Sequence, residues 1–373
     1  MSHRTAAVPG ADEIRFCTGA GGARLAWSRR GRGPAVLVVS TWFGHVDVQR
    51  ADRVWQPFLD ALAGRATVVR FDERGTGYSD CVPTSCHVEA WLDDVDAVAD
   101  AAGLDDFVLL GIGAPGGCGS SVAIAYAAQR PARVRALVVY GGSASPPLDP
   151  AGREMFDALR PLIPIAWARE DRVVHRLFTS LCIPDSTEQQ KRDLDEMIFR
   201  TSDASGGVAA ANARAEFVVR PLLGDVRVPT LVVHAVDDGV VQFSQAQILA
   251  AEIPDARLVP LRSVNHVVLP HEPAWRILVD EITAFVASAN APVAARPPDR
   301  APRPGRDVAD LLSPRERDVL QLVSSGADNE AVAAQLFLSV RTVERHLHNV
   351  YVKLGLGGKS ARAAAVARLL RSE

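Results

Sequence analysis

From Val36 to Arg262, short runs rich in β-branched residues alternate with longer stretches of helical periodicity. The runs are VLVVS (36–40), TVVRFD (67–72), DFVLLGI (106–112), VRALVVYG (134–141), VPTLVVHAV (228–236) and ARLVPLR (256–262). Almost every position in them is apolar, as in strands covered on both faces of a parallel sheet. WLDDVDAVADAAG and SSVAIAYAAQRP fall between runs, so the repeat is βαβ and the predicted class is α/β, a mostly parallel sheet flanked by helices. Upstream, EIRFCT and GARLAWSRRG are separated by glycines and predict an antiparallel hairpin at the sheet edge. Residues 149–225 break the rhythm: they are helical in pattern and carry Met155, Trp167, Phe178, Met197 and Phe199. Inserted between two strands, they predict a cap over the carboxyl edge, where open α/β sheets bind ligands.

The pattern stops at NAPVAARPPDRAPRPGR (290–306), where prolines at 292, 297, 298, 302 and 304 prevent helix and sheet from propagating. Extended at about 3.1 Å per residue, this linker would separate its neighbours by roughly 50 Å. The expected organisation is therefore a body over 1–289, a linker over 290–306 and a second domain over 307–373. That second domain is helical throughout. Ser313-Pro314-Arg315-Glu316 has the capping-box form with proline at the first helical position. Asn329 is expected to cap a second helix, LFLS to make a turn, and Ser339 to cap a third helix running to about Leu354. On the third helix Val343, Leu347, Val350 and Leu354 share one face, and Arg341, Glu344, Arg345, His348 and Asn349 share the opposite one.

Composition narrows the class. With 373 residues, 48% hydrophobic and 23% charged, the chain is too apolar for a disordered protein and too long for one ordinary domain. No run approaches 18 apolar residues, and MSHRTAAVPGADEIRF lacks a basic segment followed by an apolar one, so neither a membrane span nor a secretory signal is expected. The five cysteines (17, 81, 86, 118, 182) are scattered without zinc-site spacing, which argues against a metal site or disulfide framework and for a reducing cytoplasm. The net charge of −3 divides unevenly: from residue 291 onward 13 basic residues face 9 acidic ones, leaving 28 against 35 in residues 1–290. An acidic body is joined to a mildly basic tail.

STWFGH after the third strand, FDERGTGYSD after the fourth, the strand-turn-helix around 108–128 and SVNH near 263–266 together resemble the α/β-hydrolase family over nearly all of residues 12–288. The resemblance implies an acid, a histidine and a nucleophile on a tight turn. Asp238, in HAVDDGVVQF, and His266, in RSVNHVV, stand where the acid and histidine belong, 28 residues apart, with Asp237 the rival acid. The nucleophile motif fails. The family turn is G-x-S-x-G, whereas this chain reads LLGIGAPGGCGSSVAIAYAAQRP. Counting from the strand places Gly113 at the serine position; counting back from the helix places Gly117 there, so four residues are inserted. Cys118, in a G-x-C-x-S frame beside a helix N-terminus, is the nearest replacement nucleophile, and Ser120 and Ser121 are displaced serines. The plainer alternative has Ser120 capping the helix and Cys118 filling space. The glycines also suggest a phosphate loop, but no G-x-x-x-x-G-K-[ST] can be laid on them. Trp42 and Phe43 fall where the resemblance puts the oxyanion-hole loop. With Gly113, Ala114, Cys118 and His266 they make up the expected ligand pocket.

LSPRERDVL, SGADNEAVAAQL, SVRTVERHLHNVYVKLG and KSARAAAVA resemble the LuxR-type helix-turn-helix family over about 60 residues, a domain of four helices. The resemblance implies a recognition helix in the major groove of double-stranded DNA. Glu344, Arg345 and His348 are then placed to meet base edges, and Arg341, Thr342, Asn349 and Lys353 to hold phosphates. Residues 307–373 carry 9 basic against 8 acidic residues, too small an excess for one domain to bind tightly, so a homodimer is expected, and the resemblance implies Ser360 to Leu370 as its contact. The combined expectation is a cytoplasmic DNA-binding regulator whose hydrolase-like body senses a small molecule, without cofactor and without turnover. Its rival is an active serine- or cysteine-dependent esterase with an appended DNA-binding domain.

Overall fold

The computed structural model describes residues 13–40, 44–80 except 51, 87–113, 119–145, 173–201 and 217–290 of the body, with 154, 158, 161 and 162. In the tail it describes 314–324, 327–336, and positions 343, 347, 350, 362, 365, 366 and 369. The chain divides into two compact units, Met1–Ala291 and Pro292–Glu373.

The body is built on eight strands: β1 (Ile14–Thr18), β2 (Arg24–Arg30), β3 (Ala35–Val39), β4 (Thr67–Phe71), β5 (Phe107–Ile112), β6 (Val134–Tyr140), β7 (Thr230–Ala235) and β8 (Ala256–Leu261). Their order across the sheet is β1-β2-β4-β3-β5-β6-β7-β8. The hairpin β1–β2 pairs antiparallel, β2 meets β4 antiparallel, and every later pairing is parallel. The helices are α1 (Gln56–Ala63), α2 (Val88–Ala101), α3 (Gly119–Gln129), α4 (Val173–Cys182), α5 (Glu188–Thr201), α6 (Phe243–Glu252) and α7 (Pro273–Ala289). Alternate side chains of each central strand enter opposite layers. Val36, Val38, Val108, Leu110, Val138 and Leu231 pack with α1 and α7, whereas Leu37, Val39, Leu109, Leu137 and Val232 pack with α2, α3 and α6. This is why both parities of the central runs are apolar. Strand β8 differs: at the edge, with one side unpaired, its burial alternates and Pro260 is tolerated. Helix α3 is buried all round from Gly119 to Ala127, as its lack of a polar stripe requires.

Within the span 149–225 the structure describes α4 and α5. Cys182, Ile183, Leu194, Met197 and Ile198 extend the α1/α7 core layer. Ser120 does not cap α3: that helix begins at Gly119, so Ser120 lies inside the first turn, fully buried.

In the second unit α8 (Pro314–Ser324) and α9 (Asn329–Leu336) pack through Val319, Val323, Val332 and Ala333 against Val343 and Leu347. Val343, Leu347 and Val350 are helical and buried, the inward face expected of the third helix, while Leu354 lies outside the described residues. The cap of α9 is Asp328 and not Asn329. Asp328 Oδ1 accepts the Ala331 N–H at 2.8 Å, while Asn329 is the first helical residue and its Oδ1 accepts from Arg362 Nη1 at 2.7 Å. Ala365 and Leu369 are buried within their own unit, and Arg362 Nη2 also donates to the Ala327 carbonyl at 2.8 Å, so the described side of the closing segment faces inward. Among the described residues no helix is long and apolar enough to cross a membrane, and no group of three or more His, Cys, Asp or Glu could hold a metal ion.

Candidate functional site

The carboxyl ends of β5, β6 and β7 meet the turn after β8, and there Asp238 and His266 come together. Asp238 follows β7 by three residues. Its Oδ1 accepts the Val240 and Val241 N–H groups at 2.8 and 3.0 Å, a turn that fixes the carboxylate and points Oδ2 inward. Oδ2 stands 2.6 Å from His266 Nδ1. Asp237, the rival acid, is exposed. Helix α6 and strand β8 fill the interval between the two partners.

The other ring nitrogen of His266, Nε2, lies 3.0 Å from the carbonyl oxygen of Gly113. A carbonyl oxygen only accepts, and so does an ionised carboxylate. Both ring nitrogens must therefore donate, which makes the ring an imidazolium. Burial opposes that charge, but the Asp238 carboxylate and the hydrogen bonds to Asp238 and Gly113 outweigh it and raise the His266 pKa above its ordinary 6.5. Burial would likewise raise the Asp238 pKa, yet the His266 charge and its hydrogen bond hold it below the usual 3.8. His234 sits on the far side of Asp238, with Nε2 at 3.4 Å from Oδ2, and donates to the Val241 carbonyl at 2.7 Å. Burial lowers its pKa, so it is a neutral donor behind the pair.

Where the family places a serine, counting from β5, there is no room for a side chain. The Gly113 N–H donates to the Tyr140 carbonyl at 2.7 Å, and a Cβ built on Gly113 would overlap the carbonyl of Gly141. Gly141 in turn adopts φ 61°, and a Cβ on it would come within 2.8 Å of His266 Cε1. Two more glycines bracket the turn. Gly111 lies against Ser120 and Ala123 of α3, and Gly119 lies against the backbone of Val39 and Ser40. These are the close approaches that the outer glycines of G-x-S-x-G provide, here eight residues apart in place of four. The Gly117 register, Ala114 and Cys118 lie outside the described residues, as do Trp42 and Phe43. The buried Ser120 hydroxyl lies near Gly142, about where a Cβ of that glycine would be 3.0 Å away.

Other residues that hold the site were not singled out from the sequence. Asp72, in FDERG, accepts the Val46 N–H at 2.6 Å and the Tyr78 N–H at 2.9 Å, joining the loops that follow β3 and β4. Burial, offset by those two hydrogen bonds, pushes its pKa up to about 7. Beside it His45 accepts the Asp47 N–H on Nδ1 at 3.2 Å, and burial lowers its pKa to about 4. Arg74 and Asp94 form a fully buried pair at 2.6 Å that also accepts the Ala20 N–H. Asn265 and Glu272, flanking the histidine, are buried and hydrogen-bonded to each other at 2.8 Å. SVNH marks the place of Asn265, but only the contacts reveal what it and Glu272 hold. In the tail, the expected DNA contacts Arg341, Thr342, Glu344, Arg345, His348, Asn349 and Lys353 lie outside the described residues.

The sequence family described as alpha/beta hydrolase fold matches residues 34–273, and the one described as bacterial regulatory proteins, luxR family, matches residues 310–366. RutD of Azorhizobium caulinodans, named provisionally as a carbamate hydrolase, is 30% identical over 210 residues, covering 55% of this chain and 76% of its own. NarL of Mycobacterium tuberculosis, named provisionally as a transcriptional regulatory protein, is 45% identical over 64 residues, 17% of this chain and 28% of its own. Among solved structures, an esterase from Exiguobacterium antarcticum superposes with a TM-score of 0.62 at 18% identity over 73% of this chain and 98% of its own, a likeness of fold.

Proposed function

Because the chain belongs to the α/β-hydrolase-fold family and ends in a LuxR-type helix-turn-helix domain, we propose that it is a DNA-binding transcriptional regulator whose body senses a small molecule without turning it over. The observation that carries the second half is the Gly113 carbonyl on His266 Nε2. A general base needs a free lone pair at that nitrogen to take a proton from a nucleophile. An imidazolium that donates through both nitrogens has none. The hydrolase frame then serves as a cavity with a fixed histidine, and catalysis is lost while binding is kept.

In this reading the regulator is a cytoplasmic homodimer on double-stranded DNA, its weakly basic domains each contributing a recognition helix to one half-site. The ligand acts by preferring one arrangement of the dimer, since equal affinity for two states shifts neither. The carbamate chemistry in the RutD name makes small amide- or carbamate-like molecules the first ligands to try. The rival, a working esterase, draws support from the Asp238–His266 geometry. It requires Cys118 or a serine to take the place of the Gly113 carbonyl at Nε2.

Incubation with p-nitrophenyl acetate separates the two. The regulator gives no burst and no acyl adduct; an adduct on Cys118, with turnover lost in His266→Ala, establishes the enzyme. For the DNA half, Arg345→Ala should cost about 1 to 3 kcal/mol in operator binding and relax sequence preference. Unchanged affinity and preference would refute the assignment.

A further inference from the structure

Among the described residues, the end of α4 and the connection after it are fastened to the histidine loop. Helix α4 ends at Cys182, and its last carbonyl accepts the His266 backbone N–H at 2.8 Å, satisfying a group that the helix end would otherwise leave open. One residue earlier, the Asn265 side chain grips the cap backbone at Asp185. Its Oδ1 accepts the Asp185 N–H at 2.9 Å, and its Nδ2 donates to the Asp185 carbonyl at 3.1 Å. It thereby pairs with both polar groups of one peptide residue, as a neighbouring strand would. Asn265 is fully buried, whereas Asp185 itself is exposed.

The remaining contacts of Asn265 hold it rigid. Its Nδ2 also donates to Glu272 Oε1 at 2.8 Å, and its N–H donates to Ser263 Oγ at 2.9 Å. The Ser263 hydroxyl donates to Glu272 Oε2 at 2.5 Å, and the Leu269 N–H donates to Oε1 at 2.6 Å. Beyond His266, the Val268 N–H donates to the Tyr140 hydroxyl at 2.8 Å. The His266 loop is thus fixed to α7 and to β6 while its outer side holds the cap. On its inner side the same loop presents the imidazole to Asp238 and to the Gly113 carbonyl, the last described residue before the turn.

We infer that Asn265 is a positioning residue that couples the cap to the carboxyl end of β5: displacement of the Ile183–Thr187 connection moves the His266 loop, and with it the hydrogen bond to the Gly113 carbonyl. Its use as a route from ligand to DNA-binding domain rests on the sensor reading above; the coupling itself does not. Of the contacts between cap and body, this one reaches the histidine. Arg53, by contrast, holds α5 through Asp193 at 2.7 Å.

The test is to label the nine histidines of the full chain with 15N and follow the His266 ring signals together with hydrogen exchange at Asp185. In the parent both ring nitrogens of His266 are protonated, with the Nδ1 proton far downfield. In Asn265→Ala the Asp185 amide should exchange at least about fivefold faster, as loss of one ordinary hydrogen bond implies, and the His266 titration midpoint should move toward its ordinary value. Asn265→Asp provides a second variant, keeping the acceptor for the Asp185 N–H while turning an oxygen toward the Asp185 and Glu272 acceptors; both signals should shift in the same directions. Faster exchange at Asp185 with an unmoved His266 ring would overturn the coupling. So would an equal movement of the ring in Arg53→Ala, which loosens the cap elsewhere. Neither outcome bears on turnover, so the sensor reading stands or falls separately on the ester assay.

Discussion

The acid-and-histidine side of the site and the nucleophile side are a few ångströms apart and are built in opposite ways. On one side, side chains are packed to excess: Asp238 takes two backbone N–H groups, a charged imidazole and a neighbouring histidine, all buried. On the other, the described residues meet through glycines: Gly113 lies against the backbone of Gly141, Gly141 against the His266 ring, and Gly142 against the side chains of Val139 and Ser120. The comparison teaches that the Asp238–His266 pair is held by its own hydrogen bonds, with a backbone carbonyl as the partner of the second ring nitrogen.

The largest effect should come from the crowded side. Asp238→Ala leaves a buried imidazole without its anion and two backbone donors without an acceptor, and should cost about 4 kcal/mol in urea unfolding. A loss below about 1 kcal/mol would mean that the pair is dispensable to the fold and kept for chemistry. Next, Gly113→Ser inserts the missing hydroxyl where the strand register asks for it. Overlap with the Gly141 carbonyl should cost about 3 kcal/mol, with no gain of ester hydrolysis. A stable, active Gly113→Ser protein would break the comparison outright. The smallest effect is one of pH. Because the folded His266 pKa is raised above 6.5, its stabilisation is fully present below that pH and is lost as pH rises through the folded value. The Asp238 contribution, from a depressed pKa, holds above 3.8 and fades as pH falls through its folded value. The stability gap between the parent and His266→Gln should therefore shrink as pH rises above 6.5 and through the folded His266 value. A gap that stays flat as pH rises would show His266 to be neutral.

Much of this was legible in the residues, and the exceptions have physical reasons. The central strands announce themselves because both faces are buried, so few polar positions interrupt the runs. Strand β8 is also largely apolar but is much less buried, a fact set by its place at the edge. Asp237 and Asp238 are indistinguishable in a string; the turn onto Val240 and Val241 points one of them inward. Asp328 and Asn329 are both good caps, and the helix starts one residue earlier than expected: Asp328 takes the cap position, and the asparagine side chain accepts from Arg362 instead. Ser120 reads as a cap beside a glycine-rich turn, yet the helix begins before it.

The amino-acid sequence by itself determined the two-part architecture, the α/β frame of the body, the inward stripe Val343, Leu347 and Val350 of the tail, and the failure of the G-x-S-x-G motif. Each of these is a matter of periodicity or of which residue types are present, and both are local. Only the tertiary structure decided which atoms face the histidine. The Gly113 carbonyl reaches His266 across 153 positions, and Asn265 reaches Asp185 across 80. Contacts of that separation depend on how β5, β6, β7 and the cap are brought together, and no short stretch of the chain encodes them alone.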